Sequence, residues 1–178
     1  MNIPNLLTIL RIILVPLYLY LFYTAGEKYL FYAGIVFIFA GVTDVLDGYI
    51  ARKYNQSTEM GAALDPLADK LMTFAVLISF TSARLIPSWI LKVLGIKEII
   101  MILGGFILYL FRGKQVLPSN KFGKIATVSF YVAVLSVVFK FSNIIIRPLF
   151  LITVILNLIA FRNYLTIYMF KRNRRSSP

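Results

Sequence analysis

Six long apolar stretches, each broken from the next by a short segment rich in Gly, Pro, Asn, Ser or charge, constrain this chain more than any other feature. A membrane-crossing helix takes roughly 20 apolar residues, within a range of about 17–25. The stretches run from 6 to 24, 29 to 52, 61 to 82, 87 to 111, 123 to 142 and 146 to 169. Their connections are "AGEK", "KYNQSTEM", "SARLIP", "RGKQVLPSNKF" and "NIII". The expected fold is all-α: an integral membrane bundle of six transmembrane helices, preceded by a short interfacial N-terminal segment. It forms a single domain over residues 1–178 with a basic tail at 171–178. The hydrophobic share of 60% exceeds the roughly 45–50% of soluble domains. The N-terminal "MNIPNLLTILRIILVPLYLYLF" has no basic leader and no small-residue cleavage site, so a retained first span is expected.

Six spans put both termini on one side, and the distribution of Lys and Arg chooses it. With the termini inside, the inner segments carry Arg52, Lys53, Arg112, Lys114, Lys121, Lys124, Lys171, Arg172, Arg174 and Arg175, against Lys28, Arg84, Lys140 and Arg147 outside, ten against four. The expectation is a multi-pass cell-membrane protein with cytoplasmic termini. Its net charge of +12 is spread over loops and tail, which suits anionic lipid rather than nucleic acid. The chain has no Cys and no His. Thiolate nucleophiles, thiolate zinc sites and imidazole bases are therefore excluded.

Scarce negative charge is concentrated in "DVLDGYIARKYNQSTEMGAALDPLADK", residues 44–70. Asp44 and Asp47 are three apart and Asp65 and Asp69 four apart, so each pair shares a helix face. A tight reversal between them would bring four carboxylates together near the cytoplasmic surface. One aspartate deep in a bilayer costs roughly 2.5–3.5 kcal/mol on the insertion scale, and crowded like charges resist ionisation. A divalent cation relieves both, and hard oxygen donors select Mg²⁺, Mn²⁺ or Ca²⁺, with room for two ions. Helix capping and ion pairing to Arg52, Lys53 and Lys70 is the plainer alternative. Gly48 and Ala51 clear a groove beside the acids, unless they serve only helix packing. Arg52 is suited to fork onto a phosphate, unless it is an interfacial anchor.

The string Asp44-x-x-Asp47-Gly48-x-x-Ala51-Arg52, eight residues, then Gly61-x-x-x-Asp65-x-x-x-Asp69 resembles the full signature of the CDP-alcohol phosphotransferases. The opening "NIPNLLTILRIILVP" resembles the bacterial phospholipid-synthesising branch, which implies a bacterial source. The resemblance implies a phosphatidyltransferase that moves the phosphatidyl group of CDP-diacylglycerol to an alcohol, with release of CMP. It implies Asp44, Asp47, Asp65 and Asp69 as ligands of Mg²⁺ or Mn²⁺, two ions per site, and Asp69 as general base. Asn5, Thr8, Arg11, Gly48, Ala51, Arg52 and Gly61 would hold the CDP donor. The family also implies a homodimer in the membrane, with lipids and a polar alcohol as partners and no nucleic acid.

For the acceptor, "FGKIAT" resembles the Gly-Lys-x-x-Thr stretch of bacterial phosphatidylglycerophosphate synthases, and "KEI" stands where those have Arg-Glu-Ile. Lys97, Lys121, Lys124 and Thr127 are thereby expected to bind the phosphate of glycerol 3-phosphate. Lys97 and Glu98 are not expected to pair with each other, because adjacent helix residues diverge by about 100°. The chain departs from those synthases in having apolar "MILGGFILYL" where a second Arg stands, and Ala126 where Lys is usual. Phosphatidylglycerol, as in a cardiolipin synthase of the same family, stays open as acceptor. A cation channel or transporter is the rival from another class, but a permeation path needs polar groups across the bilayer depth, whereas these acids cluster at one face.

Overall fold

The computed structural model describes residues 3–54, 59–111 and 121–173. Every element in them is helical: α1 (Ile3–Thr24), a 3₁₀ turn (Gly26–Lys28), α2 (Tyr29–Lys53), α3 (Glu59–Ser82), α4 (Ser88–Phe111), α5 (Lys121–Val138) and α6 (Asn143–Asn173). Among the described residues, four helical stretches are long and apolar enough to cross a membrane: Pro4–Thr24, Gly26–Ala51, Lys121–Val138 and Asn143–Thr166. α3 and α4 have 24 residues each. The short segment expected ahead of the first span is continuous with it, since α1 runs unbroken from Ile3 through Pro16.

The chain falls into two units, Met1–Ile86 and Pro87–Pro178. In the first, α1 packs against both α2 and α3. Leu14, Tyr18 and Phe22 recur every four residues along α1 and are buried, while Ile13, Leu17 and Tyr20 are exposed. That is the 3.6-residue period of a helix with one face turned inward. Ala33, Phe37 and Ala40 of α2 and Val76 and Phe80 of α3 are also buried in this unit, and the Phe22 and Phe80 rings lie 6.1 Å apart. Two hydroxyl pairs fasten α1 to α3. Ser79 donates to the Val76 carbonyl at 3.0 Å, so Tyr18 is the donor in the 2.9 Å Tyr18–Ser79 bond. By the same reasoning Ser82 donates to the Ser79 carbonyl at 2.9 Å and accepts from Tyr23 at 2.9 Å. In a medium without water, a cross-helix hydroxyl bond keeps each polar group satisfied. Followed towards the N-terminus, the buried face of α1 changes character: after Leu14 come Arg11 and Thr8, both buried.

In the second unit α6 packs against both α4 and α5. Ile90 and Leu94 of α4, Phe130, Ala133 and Val134 of α5, and Phe150, Val154 and Ala160 of α6 are buried. Thr153 of α6 donates to the Ser129 carbonyl of α5 at 3.1 Å and to its own Leu149 carbonyl at 2.8 Å.

The connection between α5 and α6 corrects the sequence expectation. Residues 143–146, "NIII", read as the loop, belong to α6, and the turn lies at 139–142. Lys140 sits at φ 53°, its amide bonded to the Val137 carbonyl at 2.9 Å and that of Phe141 to the Ser136 carbonyl at 2.9 Å. This is a Schellman closure with a lysine where glycine is usual. Ser142 opens α6 by accepting the Ile144 amide on its hydroxyl at 3.4 Å. Phe139 and Phe141 extend the apolar run through the turn and hide it. Arg84, at φ 57°, closes α3 in the same way, with the Leu85 amide on the Phe80 carbonyl at 2.9 Å.

The left-handed conformation costs a residue bearing a Cβ about 1–2 kcal/mol. Lys140→Gly is therefore expected to stabilise the protein by about 1 kcal/mol. Thermal unfolding in detergent measures it, and a variant no more stable than the parent would contradict the strain assigned to this turn.

Candidate active site

Asp44 and Asp47 stand one turn apart in the last third of α2, near the N-terminal half of the antiparallel α1. Between them lies the guanidinium of Arg11. Its Nη1 is 2.6 Å from Asp44 Oδ1, and its Nη2 is paired with Asp47 Oδ2. Arg11 and Asp47 are buried, whereas the Asp44 side chain is 35% exposed. The two carboxylates thus converge on a single cationic group at the end of the α1–α2 hairpin, one reaching towards the surface and one enclosed.

This arrangement follows from local structure. A three-residue spacing on α2 puts both acids on one face. The stripe that carries Leu14, Tyr18 and Phe22 inward carries Arg11 to the same interface. Two carboxylates withdrawn from water need a counter-charge, and a planar guanidinium with a forked donor set supplies it to both at once. The same convergence is what a divalent cation requires, and the donors are hard oxygens suited to Mg²⁺ or Mn²⁺. Two acids alone do not complete a metal site. Among the described residues no group of three or more acidic ligands forms.

The other expected site residues divide sharply. Asp69 is half-buried on α3 and is paired with Lys70 Nζ at 3.0 Å, as the plainer reading of that residue anticipated. Its backbone carbonyl accepts from Thr73 at 3.0 Å. Arg52, Gly61 and Asp65 lie on α2 and α3, but their surroundings fall outside the described residues. Gly48 and Ala51 are half-buried on α2, and Asn5 is half-buried on α1. Thr8 is buried and its hydroxyl donates to the Pro4 carbonyl at 3.1 Å, one turn back in its own helix. Arg11, which the resemblance sets among the donor-binding residues, bridges the two aspartates.

Among the expected acceptor residues, Lys121, Lys124 and Thr127 are exposed on the first two turns of α5, and Thr127 donates to its own helix at the Gly123 carbonyl, 3.1 Å away. Lys97 is different. It is buried in α4 with its Nζ 2.5 Å from Glu98 Oε1 and 2.8 Å from Asn157 Oδ1 of α6. The expectation that Lys97 and Glu98 do not pair is wrong. The 100° between neighbouring Cβ atoms is spanned by two long flexible side chains, and both residues are buried. Asn157 was not expected at all. Its signal was a lone amide within the apolar run "VILNLIAF", a residue type that hydrogen-bonds across membrane helices.

The sequence profile of the CDP-alcohol phosphatidyltransferases matches residues 1–162. The chain belongs to this family. It is 39% identical over 173 residues to the CDP-diacylglycerol–glycerol-3-phosphate 3-phosphatidyltransferase of Aquifex aeolicus, covering 92% of this chain and 94% of that one. Enzymes of the same name from Pseudomonas fluorescens and Escherichia coli K12 are similar over shorter regions. They are 53% identical over 78 residues, 44% of this chain and 40% of theirs, and 45% identical over 80 residues, 45% of this chain and 44% of theirs. Within the matched region, α2 brings two of the signature's acids, Asp44 and Asp47, to one point.

Removing the cation from a buried ion pair leaves charge uncompensated, at a cost of about 3–5 kcal/mol. Arg11→Met is expected to destabilise the metal-free protein by about that much. Asp44→Asn with Asp47→Asn in the same chain is expected to restore part of the loss. Thermal unfolding in chelator reads both, and a single variant as stable as the parent would show that Arg11 does not carry the two charges.

Proposed function

We propose that this protein is a membrane phosphatidyltransferase that transfers the phosphatidyl group of CDP-diacylglycerol to glycerol 3-phosphate, giving phosphatidylglycerophosphate and CMP. The observation that carries the reading is the convergence of Asp44 and Asp47 on one point within a complete family signature. The near full-length similarity to the Aquifex aeolicus enzyme supports glycerol 3-phosphate as the acceptor.

Asp44, Asp47, Asp65 and Asp69 would together hold Mg²⁺ or Mn²⁺, which supplies positive charge to the pyrophosphate and to the departing CMP. Arg11 keeps the first two carboxylates ordered and apart. Asn5, Thr8, Gly48, Ala51, Arg52 and Gly61 line the donor's place by family resemblance. Gly48 and Ala51 have little bulk beyond the backbone, which leaves room for a nucleotide against α2. Asp69 accepts the proton of the acceptor hydroxyl. The oxygen then attacks the β-phosphorus, the bond to the CMP oxygen breaks, and no covalent enzyme adduct is formed. Lys97 binds the acceptor's phosphate monoester, while Lys121, Lys124 and Thr127 draw the anion in from the cytoplasm. The one family match runs through both units, over residues 1–162. Six spans, cytoplasmic termini and a homodimer in a bacterial membrane complete the reading.

Purified protein with CDP-diacylglycerol and Mg²⁺ or Mn²⁺ is expected to release CMP when given glycerol 3-phosphate. Release should be far slower with phosphatidylglycerol, serine or no acceptor, and chelation should abolish it. Asp69→Asn is expected to lower kcat by at least about 100-fold, the usual contribution of a general base. CMP release that prefers phosphatidylglycerol would move the protein to cardiolipin synthesis. A fully active Asp69→Asn would remove that residue from the chemistry.

A further inference from the structure

Lys97, Glu98 and Asn157 form a buried ionic knot inside the second unit. Lys97 and Asn157 are only 9% and 8% exposed. Glu98 already compensates the charge of Lys97, with Nζ and Oε1 2.5 Å apart. Because those two residues are neighbours on α4, their pairing fastens no helices together. Asn157 does something else. Its Nδ2 donates to the Thr153 carbonyl at 2.9 Å, which fixes the amide plane and leaves Oδ1 as the atom facing Lys97, 2.8 Å from Nζ. Thr153 is itself anchored on the Ser129 carbonyl of α5. A neutral amide adds no charge to the knot; it adds direction. The ammonium of a lysine on a four-carbon stem is otherwise a mobile point charge. Here Glu98 holds it from within α4, and α6, backed by α5, adds a second contact that gives it direction.

We propose that Asn157 is a positioning residue for acceptor recognition, holding the Lys97 ammonium where the acceptor's phosphate monoester binds and so setting the affinity for a phosphorylated alcohol. The inference rests on the reading of Lys97 given above, and it extends that site to a residue on another helix. A rigid cation meets an anion without first losing side-chain freedom, so the benefit is read in acceptor binding.

The test uses the full-length enzyme, with CMP release measured against both substrates. Lys97→Met is made first and is expected to raise the KM for glycerol 3-phosphate. Asn157→Leu and Asn157→Ser are then each expected to raise that KM roughly ten- to a hundredfold, the range for losing one hydrogen bond to a charged group. The KM for CDP-diacylglycerol should stay within about twofold and kcat should fall less than the acceptor KM rises. Asn157→Gln, which keeps a neutral amide, should recover part of the loss, whereas Asn157→Asp sets a second carboxylate beside Lys97 and should not. Should Asn157→Leu fail to fold, the smaller Asn157→Ser carries the measurement. If Lys97→Met raises the acceptor KM and neither Asn157→Leu nor Asn157→Ser does, the inference falls and the Lys97 reading stands. If Lys97→Met leaves the acceptor KM unchanged, the reading falls and takes the inference with it. Parallel loss in both KM values and in kcat, with no recovery in Asn157→Gln, would make Asn157 a structural staple and overturn the proposal.

Discussion

The first unit depends on the bridge from Arg11 to Asp44 and Asp47. Charge is the most expensive thing to place in an apolar bundle, and like charges one turn apart add repulsion to the cost of desolvation. One guanidinium answers both. It ties α1 to α2 at the end of the hairpin where the hydrophobic stripe gives out, so the polar end and the apolar core share one packing register. Leu14, Tyr18 and Phe22 set the rotation of α1 about its axis, and that rotation delivers Arg11. A helix turned by one residue would bury Ile12 or Leu10 there instead and take the guanidinium away from the acids.

The second unit solves the same problem with different chemistry. Lys97 and Glu98 neutralise each other within α4, and the amide of Asn157 supplies the link to α6. In the first unit the cation comes from one helix and the carboxylates from another, so the ionic contact itself holds helices together. In the second the Lys97–Glu98 contact is local, and a hydrogen bond from Lys97 to Asn157 crosses to α6. The difference matters for substitution: loss of Arg11 removes a cation that two acids share, whereas loss of Asn157 removes no charge.

Much of the fold was legible because apolar length and polar punctuation are simple quantities. The expected spans 29–52 and 61–82 lie within a residue or two of α2 and α3, since Lys28, Lys53 and Glu59 break the apolar runs. The turn between α5 and α6 was misplaced because its residues, Phe139 and Phe141, are as apolar as the helices on either side, and because Lys140 takes a conformation that glycine usually advertises. The acidic pair on α2 was legible from spacing alone. Its partner was not. Arg11 is 33 residues before Asp44, and nothing in the spacing of a lone arginine within an apolar run says which helix it will face.

That asymmetry is general to chemistry placed in an apolar helix. A charged or amide residue among aliphatic neighbours announces that some partner exists, because an unpartnered one would be too costly to keep. It does not say where the partner is, since that depends on helix rotation and neighbour choice, which many weak contacts decide together. Adjacent residues make the point from the other side. Lys97 with Glu98 and Asp69 with Lys70 both pair despite pointing in directions that differ by most of a right angle or more. Where water is scarce, long side chains bend to satisfy charge before they obey the geometry of their Cβ atoms. Spacing rules drawn from solvated helices therefore find which residues carry the chemistry in such a protein, while the pairing among them follows from the energetic demand that no charge be left alone.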